Sequence, residues 1–376
     1  MLVFPPFFGD HMFPKIKDSI SVLYRQKDDT YEVNFLFNAS SAIVPFELNE
    51  AAFRCLKHLD GKHSLEQISK LTGLLKQEVG RLVSALRKAK VLCSKPTTKT
   101  ILGKSRFSTQ LNFFAEFETS TFSREEMQRR LKTSHAMIIG IGGIGTWVAQ
   151  GLMLAGVGKF TLVDPDVVEL ANLNRQCLFT LADVGKPKAE TVSAKFSQID
   201  SNIQARVLRK KILNKEDCMD AAKRTDLIIN CADEPHTDTL NRIVTETGYA
   251  LDVPHILCGG YDGHLSFLGP TIIPGKSACW YCYEHALDQQ LDRAGYEHLV
   301  VTPSHIHGGN IGAISAITAN YHVMEAIKVL TGFATPTMLN KAAELDFLTF
   351  GIHFRNFKKR RNCPLCGRKR KEQLHE

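Results

Sequence analysis

The sequence predicts an α/β protein in which a domain built on a mostly parallel sheet follows a smaller α+β module. Three observations support this prediction. From His135 onward, short apolar segments alternate with helix-like segments, as in a chain that builds a parallel sheet through crossover helices. A glycine-rich turn at residues 140–145 joins the first such pair. A predicted β-hairpin, in which apolar and polar residues alternate, and three predicted short helices precede these segments.

Composition is that of a globular protein. The 376 residues are 44% hydrophobic and 23% charged, which suits two or three domains and excludes disordered and fibrous classes. No run approaches the roughly 18 apolar residues of a membrane span, and residues 1–13 contain no Lys or Arg, so we expect a cytoplasmic protein. The net charge of +8 is local. Residues 355–376 hold nine Lys/Arg against two Glu, which leaves +1 for the rest.

Residues 1–95 are predicted to form a winged-helix-like module. Apolar residues alternate on both sides of a polar turn, which predicts a β-hairpin: Ile20, Val22 and Tyr24, then Tyr31, Val33, Phe35 and Phe37. Asn49 is predicted to cap a helix that Gly61 ends, and Ser64 with Gln67 forms a capping box for a second helix. The predicted inward positions of the three helices are Ala52, Phe53, Leu56 and Leu59; Leu65, Ile68 and Leu71; and Leu75, Val79, Leu82, Val83 and Leu86.

A linker and a helix are predicted between the module and the larger domain. Residues 94–110 are polar, which indicates a linker. Ser123 and Glu126 then form a capping box for a helix that runs to about Lys132. The predicted division is therefore a module at 1–95, a connecting segment at 96–133 and a domain at 134–376.

The glycine-rich turn predicts a nucleotide site. Residues 136–139 form a short apolar strand, and helical spacing follows the glycines, which is the context that a Rossmann-like dinucleotide fingerprint requires. The glycines allow close approach of phosphate, and the helix N-terminus attracts an anion: Gly140, Gly142, Gly143 and Gly145. Asp164, at the end of the next strand, suits the ribose hydroxyls. By itself this pattern favours a nicotinamide dehydrogenase.

The following residues favour a triphosphate instead. Arg175 and Lys188 add cations beyond the glycines, where a triphosphate extends but the second half of a dinucleotide is usually uncharged. Asp233 follows the strand at 226–230, at the sheet edge where open α/β sheets bind ligands, and it suits Mg²⁺. Further polar candidates lie in the same segments: Asp166, Asn172, Asn174 and Gln176.

Two cysteine pairs predict a zinc site. Cys279 with Cys282 and Cys363 with Cys366 are each separated by two residues, a spacing that lets both thiolates bind one tetrahedral ion. With four thiolates the site is closed, hence structural. The alternative is four unrelated surface cysteines.

Together the glycine turn, the segment at 162–176, the segment at 184–188 and the Cys-Ala-Asp sequence ending at Asp233 resemble the ThiF, MoeB and ubiquitin-activating superfamily of adenylating enzymes. The resemblance implies ATP as cosubstrate, with Asp164 on the ribose, Asn172, Arg175 and Lys188 on the phosphates, and Asp233 on magnesium. It also suggests a homodimer in which Arg106 reaches the partner's triphosphate, although a single Arg in a polar linker is more often a solvated surface group.

The N-terminal segment at 48–92 contains Asp60-Gly61, Ser64-Leu65 and the closing Lys90-Val91-Leu92. In these features it resembles the leader-peptide recognition modules of ribosomal-peptide maturation systems. Its combination with the adenylating core and split cysteine pairs is similar to the peptide-modifying branch, which includes the microcin C and pantocin A maturation enzymes; length and module order are most similar to the latter. This likeness implies adenylation of a glutamate side chain in a precursor peptide, followed by ring closure, in antibiotic biosynthesis. The alternatives are a C-terminal carboxylate of a peptide or of a ubiquitin-like sulfur-carrier protein, an NAD-dependent oxidoreductase, or a DNA-binding regulator.

Four further residues are weaker candidates. Cys177 and Cys258 lie near the core motifs and could form a thioester, but a lone cysteine is more often a small buried hydrophobe. His305 and His307 could transfer a proton during ring closure, but histidines in loops are mostly polar surface groups.

Overall fold

The computed structural model describes residues 13–38, 41–93, 105–119, 121–234, 236–294 and 309–367. The chain divides into two compact units, Met1–Gln128 and Arg129–Glu376. The three-part division expected from the sequence stays a prediction. Within the described ranges, no helix has the length and apolar character needed to cross a membrane.

The first unit contains a three-stranded antiparallel sheet and three helices. The strands are β1 (Ile20–Lys27), β2 (Thr30–Phe37) and β3 (Ala42–Asn49), in the order β1-β2-β3. The helices are α1 (Glu50–Leu56), α2 (Leu65–Thr72) and α3 (Lys76–Lys88). Asn49 accepts a hydrogen bond from the Ala52 N–H at 2.9 Å, and Ser64 with Gln67 forms a capping box. The predicted hairpin, helices and caps are therefore confirmed.

Three details of this unit differ from the prediction. The sequence analysis missed β3, which contains Pro45; proline is tolerated there because β3 is an edge strand. Helix α1 ends at Leu56 rather than at Gly61. Leu71 and Leu75 are 57% and 69% exposed and do not point inward. Leu75 precedes the first turn of α3, and Leu71 lies in the last turn of α2.

The segment expected to be a polar linker is helical at its end. Helix α4 (Ser108–Ala115) includes the last polar residues of that segment, 108–110, and it buries Leu111 and Phe114. Helix α5 (Arg124–Thr133) follows, and the Glu126 N–H donates to the Ser123 hydroxyl at 3.3 Å, as predicted.

A buried ion pair stabilises the region before α5. Arg124 Nε lies 3.2 Å from Glu118 Oε1, and the two side chains are only 3% and 2% exposed. The Arg124 guanidinium also donates to Cys93 Sγ at 3.4 Å. Removal of Glu118 would be strongly destabilising, because the buried Arg124 would keep only the more distant Glu125 carboxylate, at 3.9 Å, as a charge partner.

The second unit is built on a six-stranded sheet. Its elements in chain order are β4 (His135–Ile139), α6 (Gly143–Ala155), β5 (Lys159–Val163), α7 (Lys188–Ile199), β6 (Gln204–Leu208), α8 (Lys215–Ala221), β7 (Leu227–Asn230), α9 (Thr237–Leu251) and β8 (His255–Leu257), followed by β9 (Tyr261–Asp262), β10 (Leu265–Leu268) and β11 (Thr271–Ile272). The strand order is β11-β8-β7-β4-β5-β6, and only β11 runs antiparallel. The predicted Rossmann-like, mostly parallel sheet is confirmed.

A second, antiparallel sheet was not predicted. It has the order β13-β12-β10-β9, with β12 (Lys341–Asp346) and β13 (Gly351–Asn356), and it accompanies helices α10 (Trp280–Ala294) and α11 (Gly312–Thr331). Helix α11 contacts this sheet through buried polar groups. The hydroxyls of Ser266 in β10 and Thr318 in α11 share a hydrogen bond at 2.7 Å, and His322 Nε2 accepts the N–H of Gly269, the residue after β10, at 3.3 Å.

Candidate functional site

A cleft of about 710 Å³ opens where the carboxyl ends of β4, β5, β7 and β8 meet, a volume typical of small-molecule sites. Ligands of open α/β sheets bind at this edge, where the strand order reverses. The sequence-predicted residues that line the cleft are Gly140, Gly142, Gly143, Asp164, Asp166, Asn172, Asn174, Arg175, Gln176, Lys188 and Asp233.

The glycines of the turn differ in what a side chain at each position would contact. Gly140 has φ +83°, and a Cβ there would lie 2.8 Å from the backbone of Ala232. Gly145 does not line the cleft; a Cβ at Gly145 would lie 1.9 Å from the Gly140 carbonyl oxygen, so this glycine serves the packing of α6 on the turn. At Gly142 the space is open, and the nearest atom to a Cβ is Gln176 Nε2 at 4.0 Å. A phosphate can approach the backbone there.

Asp164 holds the turn in place. Its carboxylate accepts the Ile141 N–H at 2.6 Å and the Asp166 N–H at 2.8 Å. Burial raises the pKa of the Asp164 carboxyl above its usual value, while these hydrogen bonds and nearby Lys188 oppose the rise. A carboxylate offers about four acceptor positions, so Asp164 can still accept from ribose hydroxyls.

Cations line the cleft beyond the glycines. Lys188 is buried, and its Nζ lies 3.0 Å from Asp166 Oδ2. Arg175 Nη1 donates to the Ala171 carbonyl at 2.9 Å and to Asn174 Oδ1 at 3.0 Å. The sequence analysis missed Lys210 and Lys211, which also line the cleft. Their position just after β6, at the same sheet edge, was the signal that could have identified them.

Two amide oxygens in the cleft have no hydrogen-bond partner within the described part of the chain. Gln176 is 3% exposed, and its Oε1 is buried; Asn310 Oδ1 is buried in the same way. A buried acceptor without a donor is costly, so these oxygens suit a ligand that brings hydroxyl or amino donors. A nucleotide therefore fits this lining, with donors for the amides and phosphates for the cations. Asp233 lines the same cleft and is exposed, three residues after the end of β7.

Of the remaining predicted residues, Cys258 also lines the cleft, whereas Arg106 and Cys177 do not. Arg106 belongs to the first unit, with its guanidinium 4.6 Å from the centre of the Phe107 ring, and its proposed action in trans stays a prediction. His305 and His307 lie outside the described residues. Cys177 donates to Gln150 at 2.9 Å, and burial raises its pKa to about 11; burial also raises the pKa of Cys258. Both thiols are thus poorly nucleophilic at neutral pH.

The four predicted metal ligands cluster. Ligand atoms of Cys279, Cys282, Cys363 and Cys366 all lie within 4.8 Å of one another, and all four residues are buried. Two cross-pairs of sulfur atoms are 3.5 and 3.4 Å apart. Four thiols at this separation fit one tetrahedral Zn²⁺ with no position open for substrate.

A Rossmann-like sheet whose switch point carries a glycine turn and a cation-lined cleft defines a nucleotide-binding α/β enzyme. The sequence matches the ThiF family over residues 107–367, and the chain belongs to this family. It is an ATP-dependent adenylyltransferase of the Rossmann-like type.

Named relatives agree with this placement. The sulfur carrier protein ThiS adenylyltransferase of Escherichia coli is 33% identical over 245 residues, covering 64% of this chain and 88% of the relative. The molybdopterin-synthase adenylyltransferase of the same organism is 30% identical over 244 residues, covering 64% and 90%.

Solved structures share the fold. E. coli MccB, described as a microcin C7 biosynthetic enzyme, has been solved with ATP, where it superposes with a TM-score of 0.72 at 20% identity over 94% of this chain and 99% of that one. PaaA superposes with a TM-score of 0.62 at 23% identity, covering 74% and 92%. The chain therefore has the MccB-like fold, while a particular likeness to the pantocin A enzyme stays a prediction.

Proposed function

We propose that this enzyme adenylates a carboxylate of a ribosomally made precursor peptide that it captures through its N-terminal module. The observation that carries the proposal is the combination, in one chain, of a cation-lined nucleotide cleft and a sheet module that the cleft itself does not require. E. coli MccB, which superposes over 94% of this chain, has been solved in complex with N-formylated MccA.

The cleft residues suit transfer to the α-phosphorus of ATP. A carboxylate oxygen of the peptide forms a bond to this phosphorus, the bond to the bridging oxygen breaks, and pyrophosphate leaves with the electron pair. Asp164 would hold the ribose, while Asn172, Arg175 and Lys188 would bind the phosphates and stabilise the charge that moves onto pyrophosphate. No general base is needed because the nucleophile is already ionised.

Two further roles complete the proposed site. Asp233 would hold Mg²⁺, which supplies positive charge to the triphosphate; its exposed carboxylate lies in the cleft lining and offers the oxygen ligands that Mg²⁺ prefers. In a homodimer, Arg106 of one protomer would contact the triphosphate bound to the other.

The N-terminal sheet offers a site for the leader of the peptide. Its strands β1 and β3 each have one edge that no strand of the described residues pairs with. An extended peptide can add to such an edge, where backbone hydrogen bonds give affinity and side-chain pockets give specificity. The proposed outcome for the peptide is activation of a glutamate side chain followed by ring closure, in antibiotic biosynthesis.

A second candidate substrate is a sulfur-carrier protein. It is favoured by the relatives named for that activity, at 30–33% identity over the adenylation unit. Such a substrate presents a C-terminal carboxylate to the same cleft, and the phosphate chemistry is unchanged. The two candidates differ in whether the N-terminal module is needed.

Pyrophosphate exchange into ATP tests the proposal. The zinc-loaded full chain is assayed with precursor peptides encoded beside its gene, with the same peptides lacking their leaders, and with a sulfur-carrier protein. Leader-dependent exchange supports peptide adenylation, whereas exchange with the carrier alone selects the second candidate. ADP formation, retention of a nicotinamide cofactor, or no exchange with any substrate contradicts the assignment.

A further inference from the structure

Tyr261 lies in the cleft, and no sequence motif singled it out. It is the first residue of β9, and it lines the cleft opposite the glycine turn. If Gly143 carried a Cβ, that atom would lie 2.8 Å from the Tyr261 hydroxyl oxygen, 3.1 Å from Ser315 Oγ and 3.5 Å from Arg175 Cδ. The phenol therefore approaches the first turn of α6 directly, and the missing side chain of Gly143 makes room for it.

The hydroxyl of Tyr261 is available to a ligand. It has no hydrogen-bond partner among the residues that the structure describes, whereas neighbouring Ser315 Oγ already accepts the Asn310 side-chain amide at 2.6 Å. A tyrosine hydroxyl can donate one hydrogen bond. Tyr261 thus brings an uncommitted donor to the N-terminus of α6, where backbone N–H groups are also suited to bind an anion.

The backbone that carries Tyr261 is held rigidly. A Cβ at Gly259 would lie 1.7 Å from Phe267 Cδ1, so the chain packs closely on that ring, and the Phe267 N–H donates to the Gly260 carbonyl at 3.0 Å. The Phe267 ring in turn packs against Trp280 and Tyr283, with ring centres 6.5 and 5.8 Å away. A donor mounted this firmly does not have to reorganise when charge develops in front of it.

The lining of the cleft indicates which part of a bound nucleotide the Tyr261 hydroxyl would contact. In the proposed binding mode Asp164 holds the ribose, and Arg175 with Lys188 holds the end of the triphosphate. The α-phosphoryl group would then lie between them, next to residues 142–143 of the same cleft lining. We infer that the Tyr261 hydroxyl donates a hydrogen bond to a non-bridging oxygen of the α-phosphoryl group. This hydrogen bond becomes stronger in the transition state, as negative charge develops on that oxygen. The inference rests on the proposed function and adds a catalytic residue to it.

Tyr261→Phe removes only the hydroxyl and is compared with Tyr321→Phe, which removes a tyrosine hydroxyl that contacts Met338 outside the cleft lining. In peptide-dependent pyrophosphate exchange, Tyr261→Phe is expected to lower kcat by about 100-fold or more, the cost typical of one oxyanion donor, with KM for ATP within about threefold. Tyr321→Phe is expected to match the wild type. A loss in kcat below about tenfold, or a loss confined to KM, overturns the inference.

A second measurement is a ratio of rates, so it does not depend on the fraction of the Tyr261→Phe protein that is folded. The wild type is assayed with ATP and with each diastereomer of ATPαS, in which sulfur, a weak acceptor, replaces one non-bridging α-oxygen. For one diastereomer, the ratio of rates with ATP and ATPαS is expected to shrink in Tyr261→Phe; an unchanged ratio for both contradicts the contact. If the wild type itself shows no substrate-dependent exchange, the proposed function fails, whereas active wild type with unaffected Tyr261→Phe refutes only the role of Tyr261.

Discussion

Replacing Lys188 by alanine tests the proposed charge stabilisation most directly. The Lys188 side chain is 9% exposed, and its only described ion pair is with Asp166, a residue that is itself 56% exposed. A buried cation about 4 Å from a phosphoryl oxygen is worth about 4 kcal/mol at an effective dielectric constant near 20, against about 1 kcal/mol in bulk water. The burial of Lys188 selects the larger value. We therefore expect Lys188→Ala to lose about 3 to 4 kcal/mol of transition-state stabilisation.

At about 1.36 kcal/mol for each factor of ten, this loss lowers kcat/KM for pyrophosphate exchange by roughly 160- to 870-fold. Lys186→Ala is the matched control: it removes the same charge two residues away, from a side chain that is 57% exposed, pairs with Asp183 and does not line the cleft. Lys188→Arg, which retains the charge, should recover part of the rate. If Lys188→Ala loses less than tenfold, its cation acts as a solvated surface charge and the reasoning is refuted.

Three further outcomes are expected. Cys363→Ser should lower bound zinc, measured by elemental analysis, to well below one ion per chain and lower the melting temperature, while Cys177→Ser, outside the cluster, should do neither. Glu118→Gln should reduce the free energy of unfolding in urea by about 3 kcal/mol, because buried Arg124 then keeps only the more distant Glu125 carboxylate, 3.9 Å away and 40% exposed, as a charge partner; a loss under about 1 kcal/mol contradicts this. Burial lowers the pKa of His322 to about 4, so the folded protein keeps it neutral where the unfolded chain binds a proton. Its stabilising contribution is complete above pH 6.5 and should be lost as the pH falls towards 4, and His322→Gln should flatten the pH dependence of the unfolding free energy in that range.

The fold of the second unit, Arg129–Glu376, was largely predictable because the sequence patterns that indicate it are local. The strand at 159–163 and the glycine turn are short continuous patterns, and the structure has them where the sequence indicated. The cysteine pairs were predictable from spacing alone, although 84 residues separate one pair from the other.

The features that were missed depend on contacts distant in sequence. Strand β3 contains Pro45, which argues against a strand unless the strand is known to lie at an edge. The antiparallel sheet of β9, β10, β12 and β13 pairs segments about 80 residues apart. Tyr261 belongs to no motif, and its relation to Gly143 arises only when β9 and α6 are folded around the same cleft.

The cysteine cluster also bears on the order in which the second unit folds. Its two pairs lie 84 residues apart, so a bound ion closes a long loop, and such closure costs chain entropy before any contact compensates for it. One pair lies at the start of α10 and the other follows β13, so we expect metal capture to need both elements in place and to be a late, non-local event in folding. The rate at which refolding chains take up zinc is then expected to follow the formation of the native core rather than the concentration of the ion.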